Sequence, residues 1–240
     1  MTDVSQVEAR VKPEAGSNTL SEQVYSAIRQ DMLDGKMLPG AKLSLRSLAT
    51  TYGTSMQPVR EAVTRLVAED ALEVTSARAI QVPQMLRSQC DEVWSLRALL
   101  EGEAAALFTL RAPQSAFDHL AKLTKATYVA QFSGSTVEHM GRIHDWAFFV
   151  ADECGSPLLA SLIRTMRLRG APMMSMALHA PAEEDRPFLE FTNQIMAEMA
   201  QAVRTRDASR VRDLRRVDIL TYQRYLYSRL GWQITAAFER

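Results

Sequence analysis

Apolar residues near the start of the chain recur with the period of short amphipathic helices. From Thr19 they follow one another at steps of four residues, which predicts a helix that Thr19 caps and Gly35 ends. A second, shorter helix is predicted between Ser44, a favoured N-cap, and Gly53, which readily adopts the left-handed conformation that stops a helix. Residues 1–18 lack this period, and we expect a flexible tail there.

A third helix and a change of period follow. The helix is predicted to begin after Ser55 or the threonine before it, with Pro58 in its first turn, where a missing N–H breaks no hydrogen bond. Its apolar residues face inward, which turns Gln57 and Arg60 outward. Over residues 73–83 the period becomes two, which predicts a two-stranded wing. A winged helix-turn-helix of this kind places the start of its third helix in the DNA major groove.

The rest of the chain has a helical period nearly to its end. Proline, glycine and serine interrupt it, which predicts helices at 89–111, 114–132, 136–153, 157–170, 186–206 and 208–230. We therefore expect a mainly α protein, in which an antiparallel bundle of six or seven helices follows the winged helix-turn-helix. We predict a tail at 1–18, a winged helix DNA-binding domain at 19–83 and a linker at 84–88. An all-α effector-binding and dimerisation domain follows at 89–232, and a second tail at 233–240.

Composition narrows the class of protein. A chain of 240 residues, with 47% hydrophobic and 23% charged residues, has enough material for two globular domains. No apolar run approaches the length of a membrane span and the N-terminus has no hydrophobic signal core, so we expect no membrane contact and a cytoplasmic location. Cys90 and Cys154 lie in apolar helical contexts and are interpreted as buried thiols.

The charge balance argues against a general basic field for nucleic acid. The chain has 28 basic and 28 acidic residues, and its net charge is zero. The counts between residues 19 and 83 are also equal. Contact with DNA must therefore come from cations at particular positions, and Arg46 and Arg60 on the second and third helices are the candidates. From composition alone, ordinary solvated helix charge is the favoured interpretation of both, and it is the spacing of the surrounding residues that favours contact with DNA.

Three polar residues fall on inward faces of the predicted bundle. Arg97, His144 and Asp218 each lie among apolar residues at helical spacing. A buried cation needs an internal carboxylate or an anionic ligand, so these residues predict a pocket inside the bundle. The simpler alternatives are an internal ion pair between Arg97 and Asp218 and a hydrogen-bonded core histidine. An arginine-rich run is interpreted as a solvated helix face, at residues 204, 206, 210, 212, 215 and 216.

The N-terminal segments QVYSAIRQDMLDGKMLPGAKL, SLRSLATTYGTSMQPVREAVTRL and VAEDALEV resemble the DNA-binding domain of GntR-type bacterial transcription regulators. The resemblance implies DNA contacts from the second helix, the start of the third helix and the wing, through Arg46, Ser55, Met56, Gln57, Arg60, Ser76 and Arg78. Two positions depart from the family pattern, because Met56 stands where Arg is usual and Ala77 stands where the wing tip usually has Gly. Losing a bidentate arginine costs about 1 to 3 kcal/mol of base discrimination, so we expect an operator unlike the common family sequence.

The segments DEVWSLRALLEGEAAAL and RTRDASRVRDLRRVDILTYQRYL resemble the FCD ligand-binding domain of the FadR branch. Members of that branch commonly bind a divalent metal through an Asp and three His. The corresponding positions here are Ile143, Ala147, Met196 and Asp218. A shift of three residues recovers His144 but places Met140 at the Asp position. Apolar side chains cannot replace these ligands, so we expect no cofactor and a metal-free pocket, as in acyl-CoA-responsive members. In such a pocket Arg97 would bind an anionic group of the ligand.

These features together predict a ligand-responsive DNA-binding transcription regulator, and specifically a repressor. One winged domain reads one half-site, so a second copy is needed for affinity and register. The expected partners are double-stranded operator DNA, a second copy of the chain and a small effector, either a carboxylate or an acyl-CoA. The alternative is a DNA-binding regulator with no effector. An enzyme on the bundle is not expected, because the sequence has no nucleophile elbow, phosphate loop, metal triad or catalytic carboxylate pair.

Overall fold

The computed structural model describes residues 19–76, 79–180 and 186–233, most of which are helical. The N-terminal elements are α1 Leu20–Leu33, β1 Lys42–Leu43, α2 Leu45–Thr51, α3 Met56–Ala68, β2 Glu73–Val74 and β3 Ile80–Gln81. The C-terminal helices are α4 Arg87–Arg111, α5 Gln114–Ser133, α6 Thr136–Glu153, α7 Pro157–His179, α8 Arg186–Arg204 and α9 Ala208–Arg229. The predicted mainly α class is confirmed. The predicted tail at 1–18, the wing-tip residues Ala77 and Arg78, and 234–240 lie outside the described residues.

Capping explains where the first helices begin and end. The Thr19 hydroxyl accepts a hydrogen bond from the Glu22 backbone N–H at 3.3 Å, and the Glu22 carboxylate accepts one from the Thr19 N–H at 3.1 Å. Helix α2 begins with the same reciprocal arrangement at Ser44. Gly35 and Gly53 have φ angles of 75° and 64°, the left-handed conformation that ends a helix. The predicted caps and stops are therefore confirmed.

The wing belongs to a three-stranded sheet. Strand β3 lies in the middle and pairs antiparallel with both β1 and β2, so that Lys42 lies opposite Gln81 and Val74 lies opposite Ile80. The predicted pairing of β2 with β3 is confirmed. Strand β1 is missing from the two-stranded prediction because two residues are too few to show a period.

Helix α7 contradicts one predicted boundary. The prediction ends this helix at residue 170, but it continues to His179 with Pro172 buried inside it. An internal proline removes a backbone hydrogen bond and crowds the preceding turn, at a cost of about 3 kcal/mol. Helix α7 packs against α1, α4, α6 and α9, and this tertiary packing supports the helix where local propensity does not.

The same helix joins the winged domain to the bundle. Leu168 and Ala171 of α7 are buried within the core formed by α1, α2 and α3. The Ser175 hydroxyl donates to the Gly35 carbonyl oxygen at 2.7 Å. A Cβ atom at Gly35 would overlap the Sδ atom of Met140 on α6, so glycine is needed for this close approach. Helix α7 is therefore a direct structural link between the two parts of the molecule.

Within the bundle, α4 and α9 form a long antiparallel pair. Gln223 of α9 donates to Asp91 Oδ1 near the start of α4 at 3.1 Å, which fixes the register at one end of the pair. Cys90 and Cys154 are buried free thiols, as predicted. None of the described helices is both long and apolar enough to cross a bilayer.

Candidate DNA-binding face and ligand cavity

The side chains predicted to contact DNA lie on the exposed side of α2 and α3. Arg46 on α2 and Arg60 on α3 are both exposed, and neither guanidinium forms an ion pair with any described residue. At the start of α3, Met56 is 53% exposed and Gln57 donates to the Glu61 carboxylate one turn later at 3.1 Å. The predicted residues of α2 and α3 are thus accessible to solvent.

Two serines flank this surface. Ser55 is the N-cap residue of α3, yet its side chain forms no capping hydrogen bond. Ser76 is exposed beside the wing tip, whereas Arg78 falls in the undescribed pair of residues that follows. A hydroxyl near a helix N-terminus can donate to a phosphate, whose negative charge the helix dipole also favours.

The equal counts of acidic and basic residues conceal a local imbalance. Lys36, Arg65 and, from α7, Arg169 form ion pairs with four carboxylates of the winged domain. These carboxylates are Asp31, Asp34, Glu69 and Asp70. Four acids but only two cations of the winged domain, Lys36 and Arg65, are engaged in these pairs, so Arg46 and Arg60 remain available as exposed positive charges on α2 and α3.

The bundle helices surround a cavity of about 550 Å³. Its walls are mainly apolar and aromatic, and they include Phe117, Leu120, Trp146, Met196 and Met199. Arg97 and Asp218, two of the three predicted pocket residues, also line it. An apolar cavity with a few charged side chains is the usual form of a small-molecule site.

Glu101 lies among three buried guanidinium groups. Its Oε1 accepts from Arg97 Nε at 3.0 Å, and its Oε2 accepts from Arg167 Nη2 and Arg215 Nη2, each at 2.6 Å. Burial alone would raise the pKa of Glu101, but the positive charges of Arg167, Arg97 and Arg215 hold that pKa well below its ordinary value. The internal carboxylate that a buried Arg97 was expected to need is therefore Glu101, on the same helix.

Asp218 joins this cluster through Arg215. Its Oδ2 accepts from Arg215 Nη1 at 2.5 Å. Burial raises the pKa of Asp218, although the charge of Arg215 acts in the opposite direction. The alternative of a direct ion pair between Arg97 and Asp218 is wrong, because Arg97 pairs with Glu101 and Asp218 pairs with Arg215. We refer below to the arginine cage, which consists of Arg97, Glu101, Arg167, Arg215 and Asp218.

His144 lies close to the cage but is not among the residues that line the cavity. The residue is 2% exposed, its Nδ1 lies 2.8 Å from the Met140 carbonyl oxygen, and its Nε2 has no hydrogen-bond partner in the described part of the chain. Burial, followed by the charges of Arg167 and Arg97, lowers the pKa of His144 to about 3, so the ring is neutral at pH 7. The core-histidine alternative fits this position better than a direct ligand contact.

Three cage residues are absent from the sequence prediction. Glu101 is predictable as the partner of Arg97, because a carboxylate four residues after it lies on the same helix face. Arg215 belongs to the run interpreted as a solvated face, and the structure corrects this interpretation, since Arg215 is only 6% exposed. Arg206 of the same run donates to the Thr109 carbonyl oxygen at 2.9 Å. No periodicity in the sequence relates Arg167 to the other cage residues.

The positions that the FCD resemblance aligns with metal ligands do not fit a divalent metal. Ile143, Met196 and Asp218 line the same cavity, but only Asp218 has a side chain that binds such ions. In the described ranges, no group of three or more His, Cys, Asp or Glu side chains is placed to bind a metal ion.

Comparison with known proteins bears on both parts of the chain. Residues 20–82 match the family model described as bacterial regulatory proteins, gntR family, and residues 92–219 match the FCD domain model. The HTH-type transcriptional regulator McbR of Escherichia coli K12 is 30% identical over 167 residues, which cover 69% of this chain and 76% of McbR. The HTH-type transcriptional repressor GlaR of the same organism is 28% identical over 87 residues, 36% of this chain and 40% of GlaR.

Solved structures show the same arrangement. The structure of E. coli McbR/YncC superimposes with a TM-score of 0.80 at 26% identity, covering 89% of this chain and 99% of the other. A GntR structure from Rhodococcus sp. RHA1 superimposes with a TM-score of 0.65 at 18% identity over the same shares of the two chains, which shows the fold alone.

Proposed function

Because this chain belongs to the gntR family of bacterial regulatory proteins, we propose that it represses transcription as a homodimer on operator DNA. The chain is a DNA-binding transcription regulator with an FCD domain, as its relatives are. The observation that carries the proposal is the pair of exposed arginines on α2 and α3, Arg46 and Arg60, which no carboxylate of the described residues neutralises. Two of the relatives, GlaR and RspR, are named repressors, which supports the sign of regulation.

Arg60 and Gln57 are the proposed base-reading side chains of α3. Both are exposed on the N-terminal half of the helix, which is the part that enters the major groove in helix-turn-helix proteins. Arg46, Ser55, Ser76 and Arg78 are proposed to bind phosphate and to position the domain. Met56 cannot donate a hydrogen bond to guanine, but its exposed side chain can contact a thymine methyl group.

A dimer requires an exposed apolar surface on the bundle. On α4, Leu96 and Leu99 are 46% and 52% exposed, and on α9, Val217 and Leu220 are 46% and 37% exposed. The antiparallel register of the two helices sets Leu99 level with Val217 and Leu96 level with Leu220. This apolar quartet supports a two-fold interface, in which the same patch faces itself on the partner copy. Sedimentation of Leu99→Lys should show a monomer where the wild type shows a dimer.

The cavity is proposed to bind a small anionic metabolite that changes operator affinity. Arg97 and Asp218 line it, and Arg167 of the cage is followed directly by Leu168, which is buried in the core of the winged domain. A ligand that displaces Arg167 therefore acts on the helix that supports α1 to α3. Differential binding to two placements of the wings is sufficient to change affinity for two fixed half-sites.

One observation favours a regulator without an effector. Arg97 already has an internal carboxylate partner, so the cage does not need an external anion to satisfy that guanidinium. The two functions differ in one measurable property, which is whether any small molecule changes operator affinity.

Gel retardation of the DNA upstream of the protein's own gene tests these proposals. The experiment compares wild type with Arg97→Ala at a fixed salt concentration, with and without a panel of carboxylates and acyl-CoAs. Retardation that a carboxylate changes in wild type but not in folded Arg97→Ala supports the effector. Retardation that no compound changes supports the alternative, and a failure to retard any palindrome in that DNA contradicts the operator proposal.

A further inference from the structure

Besides His144 Nε2, several buried polar atoms near the arginine cage have no hydrogen-bond partner among the residues that the structure describes. Trp94 is 1% exposed, and its indole Nε1 forms no hydrogen bond with any described residue. The Tyr222 hydroxyl is likewise buried and without a partner in the described part of the chain. Native proteins rarely leave such groups unsatisfied, and the exceptions often have a role in binding. Two donors of the cage, Arg167 Nε and Arg215 Nε, are also buried and have no hydrogen-bond partner among the described residues.

Trp94 and Tyr222 lie close to Arg97 in the wall of the cavity. The Arg97 Cζ atom lies 4.2 Å from the Trp94 ring centroid, and the ring centroids of Trp94 and Tyr222 are 6.3 Å apart. Indole and guanidinium nitrogens can only donate, and a tyrosine hydroxyl can donate as well. The chemical group that would satisfy this part of the cavity is therefore a hydrogen-bond acceptor.

The net charge of the cage indicates how many negative charges the acceptor group of the ligand should carry. The three arginines share two carboxylate partners, Glu101 and Asp218, and these ion pairs leave one net positive charge; the neighbouring His144 ring is neutral at pH 7. A ligand with a single negative charge neutralises the cage. A phosphate monoester or a CoA nucleotide has additional negative charge that the described cage residues do not balance.

The remainder of the cavity specifies the body of the ligand. Away from the cage the cavity is lined by apolar side chains such as Phe117, Trp146, Met196 and Met199, and also by polar and charged side chains that include Asp118, Lys125 and Arg204. Aromatic rings provide rigid apolar area, and methionines adapt to irregular shapes. An apolar chain or ring attached to one carboxylate matches the cage and the apolar part of the cavity.

We propose that Trp94 Nε1 and the Tyr222 hydroxyl, together with Arg97, bind the carboxylate of a singly charged acid with an apolar body. This inference rests on the proposed function in one respect, which is that the acid binds in the cavity proposed for the effector. Both polar atoms are out of contact with solvent in this structure, so binding includes a small side-chain adjustment in this part of the cavity.

Tyr222→Phe isolates the proposed contact. The change removes a hydroxyl that has no partner in the described residues, so the fold loses no hydrogen bond, while the ligand loses one donor. Tyr225→Phe is the matched control on the same helix, because its hydroxyl accepts from Arg229 Nη1 at 3.2 Å and the residue is not among those that line the cavity. Thermal unfolding of both variants establishes that each is folded.

The test is calorimetric titration of full-length protein at pH 7.5 with octanoate, octanamide and octyl phosphate. We expect octanoate to bind roughly tenfold or more tightly than the other two, and Tyr222→Phe to weaken octanoate binding roughly tenfold with Tyr225→Phe unchanged. Asp218→Asn adds one net positive charge to the cage and should narrow the gap between octyl phosphate and octanoate.

Four results would overturn the inference: equal affinity for octanoate and octanamide, tighter binding of octyl phosphate by wild type, an unchanged octanoate affinity in Tyr222→Phe, or no binding of octanoate. Because no DNA is present, this test is independent of the proposed function. A protein that binds octanoate selectively, but whose operator affinity is indifferent to it, would retain the subsite and lose the proposed effector control.

Discussion

The two groups of arginines in this molecule have the same side chain and opposite surroundings. Arg46 and Arg60 lie on the outer surface of the winged domain, exposed and without carboxylate partners among the described residues. The cage arginines of the bundle share Glu101 and are at most 8% exposed. Free exposed guanidinium groups can bind an external polyanion, whereas buried groups must first be satisfied internally. Location within the fold, rather than net charge, therefore decides what each arginine can do.

The largest effect is expected at the centre of the cage. Glu101→Gln leaves three buried guanidinium groups around a neutral amide, which should lower the free energy of unfolding by about 3 to 5 kcal/mol. Glu103→Gln, on the exposed side of the same helix, removes a partner of Arg212 and should cost less than about 1 kcal/mol. Urea denaturation measures both changes. Equal losses in the two variants would contradict the distinction between buried and exposed arginines.

The exposed group is tested by removing one guanidinium from α3. Arg60→Ala should weaken operator binding by about 1 to 3 kcal/mol with little change in stability. Arg65→Ala removes the same charge from the same helix, but this side chain is already engaged by Glu69 and packs on the Tyr25 ring, 3.8 Å from the centroid. We expect the control to keep most of its DNA affinity in anisotropy titrations. A larger loss in Arg65→Ala would place the DNA-binding face elsewhere on α3.

The buried group also predicts a dependence on pH. The pKa of His144 is lowered to about 3 in the folded protein, against about 6.5 in an unfolded chain. Between pH 6.5 and 5 the unfolded chain takes up a proton at this position and the folded protein does not, so stability falls as pH falls, by up to about 2 kcal/mol at pH 5. Burial also lowers the pKa of His139, to about 4, so His144→Gln should make this part of the stability profile shallower without removing its pH dependence. Arg60→Ala should keep the wild-type slope, and an unchanged slope in His144→Gln would contradict the buried neutral ring.

The smallest effect concerns the helix that joins the two regions. Ser175→Ala removes the hydrogen bond from α7 to the Gly35 carbonyl and should lower the free energy of unfolding by about 1 kcal/mol. Ser161→Ala changes an exposed serine of the same helix and should cost less than about 0.5 kcal/mol. We also expect Ser175→Ala to reduce the effect of octanoate on operator affinity. A full response in this variant would show that α7 transmits the signal through other contacts.

The sequence predicted the local features of the fold and missed the long-range ones. Caps and left-handed glycines depend on residues close together in the chain, so Thr19, Ser44 and Gly53 marked helix boundaries correctly. The extension of α7 through Pro172 depends on packing from several other helices, which no local pattern contains. Helix ends that depend on tertiary contacts are therefore the ones that local sequence patterns fail to predict.

The candidate sites follow the same division. The outward direction of Gln57 and Arg60 comes from the period of one helix, and the structure places both on the exposed side of α3. Arg97 was recognised as inward by the same reasoning. Arg167 and Arg215 lie 66 and 114 residues from Glu101 along the chain. Their contact with Glu101 depends on how the bundle helices are arranged, which no local pattern shows.

The most direct test of the connection between the two arginine groups is one pair of titrations. Fluorescently labelled DNA from upstream of the protein's own gene is titrated with wild-type protein, once alone and once with saturating octanoate, at the same salt concentration. We expect the dissociation constant for DNA to change at least about tenfold, a coupling of about 1.4 kcal/mol. An identical dissociation constant in the two titrations would contradict control of the exposed arginines by the buried cage.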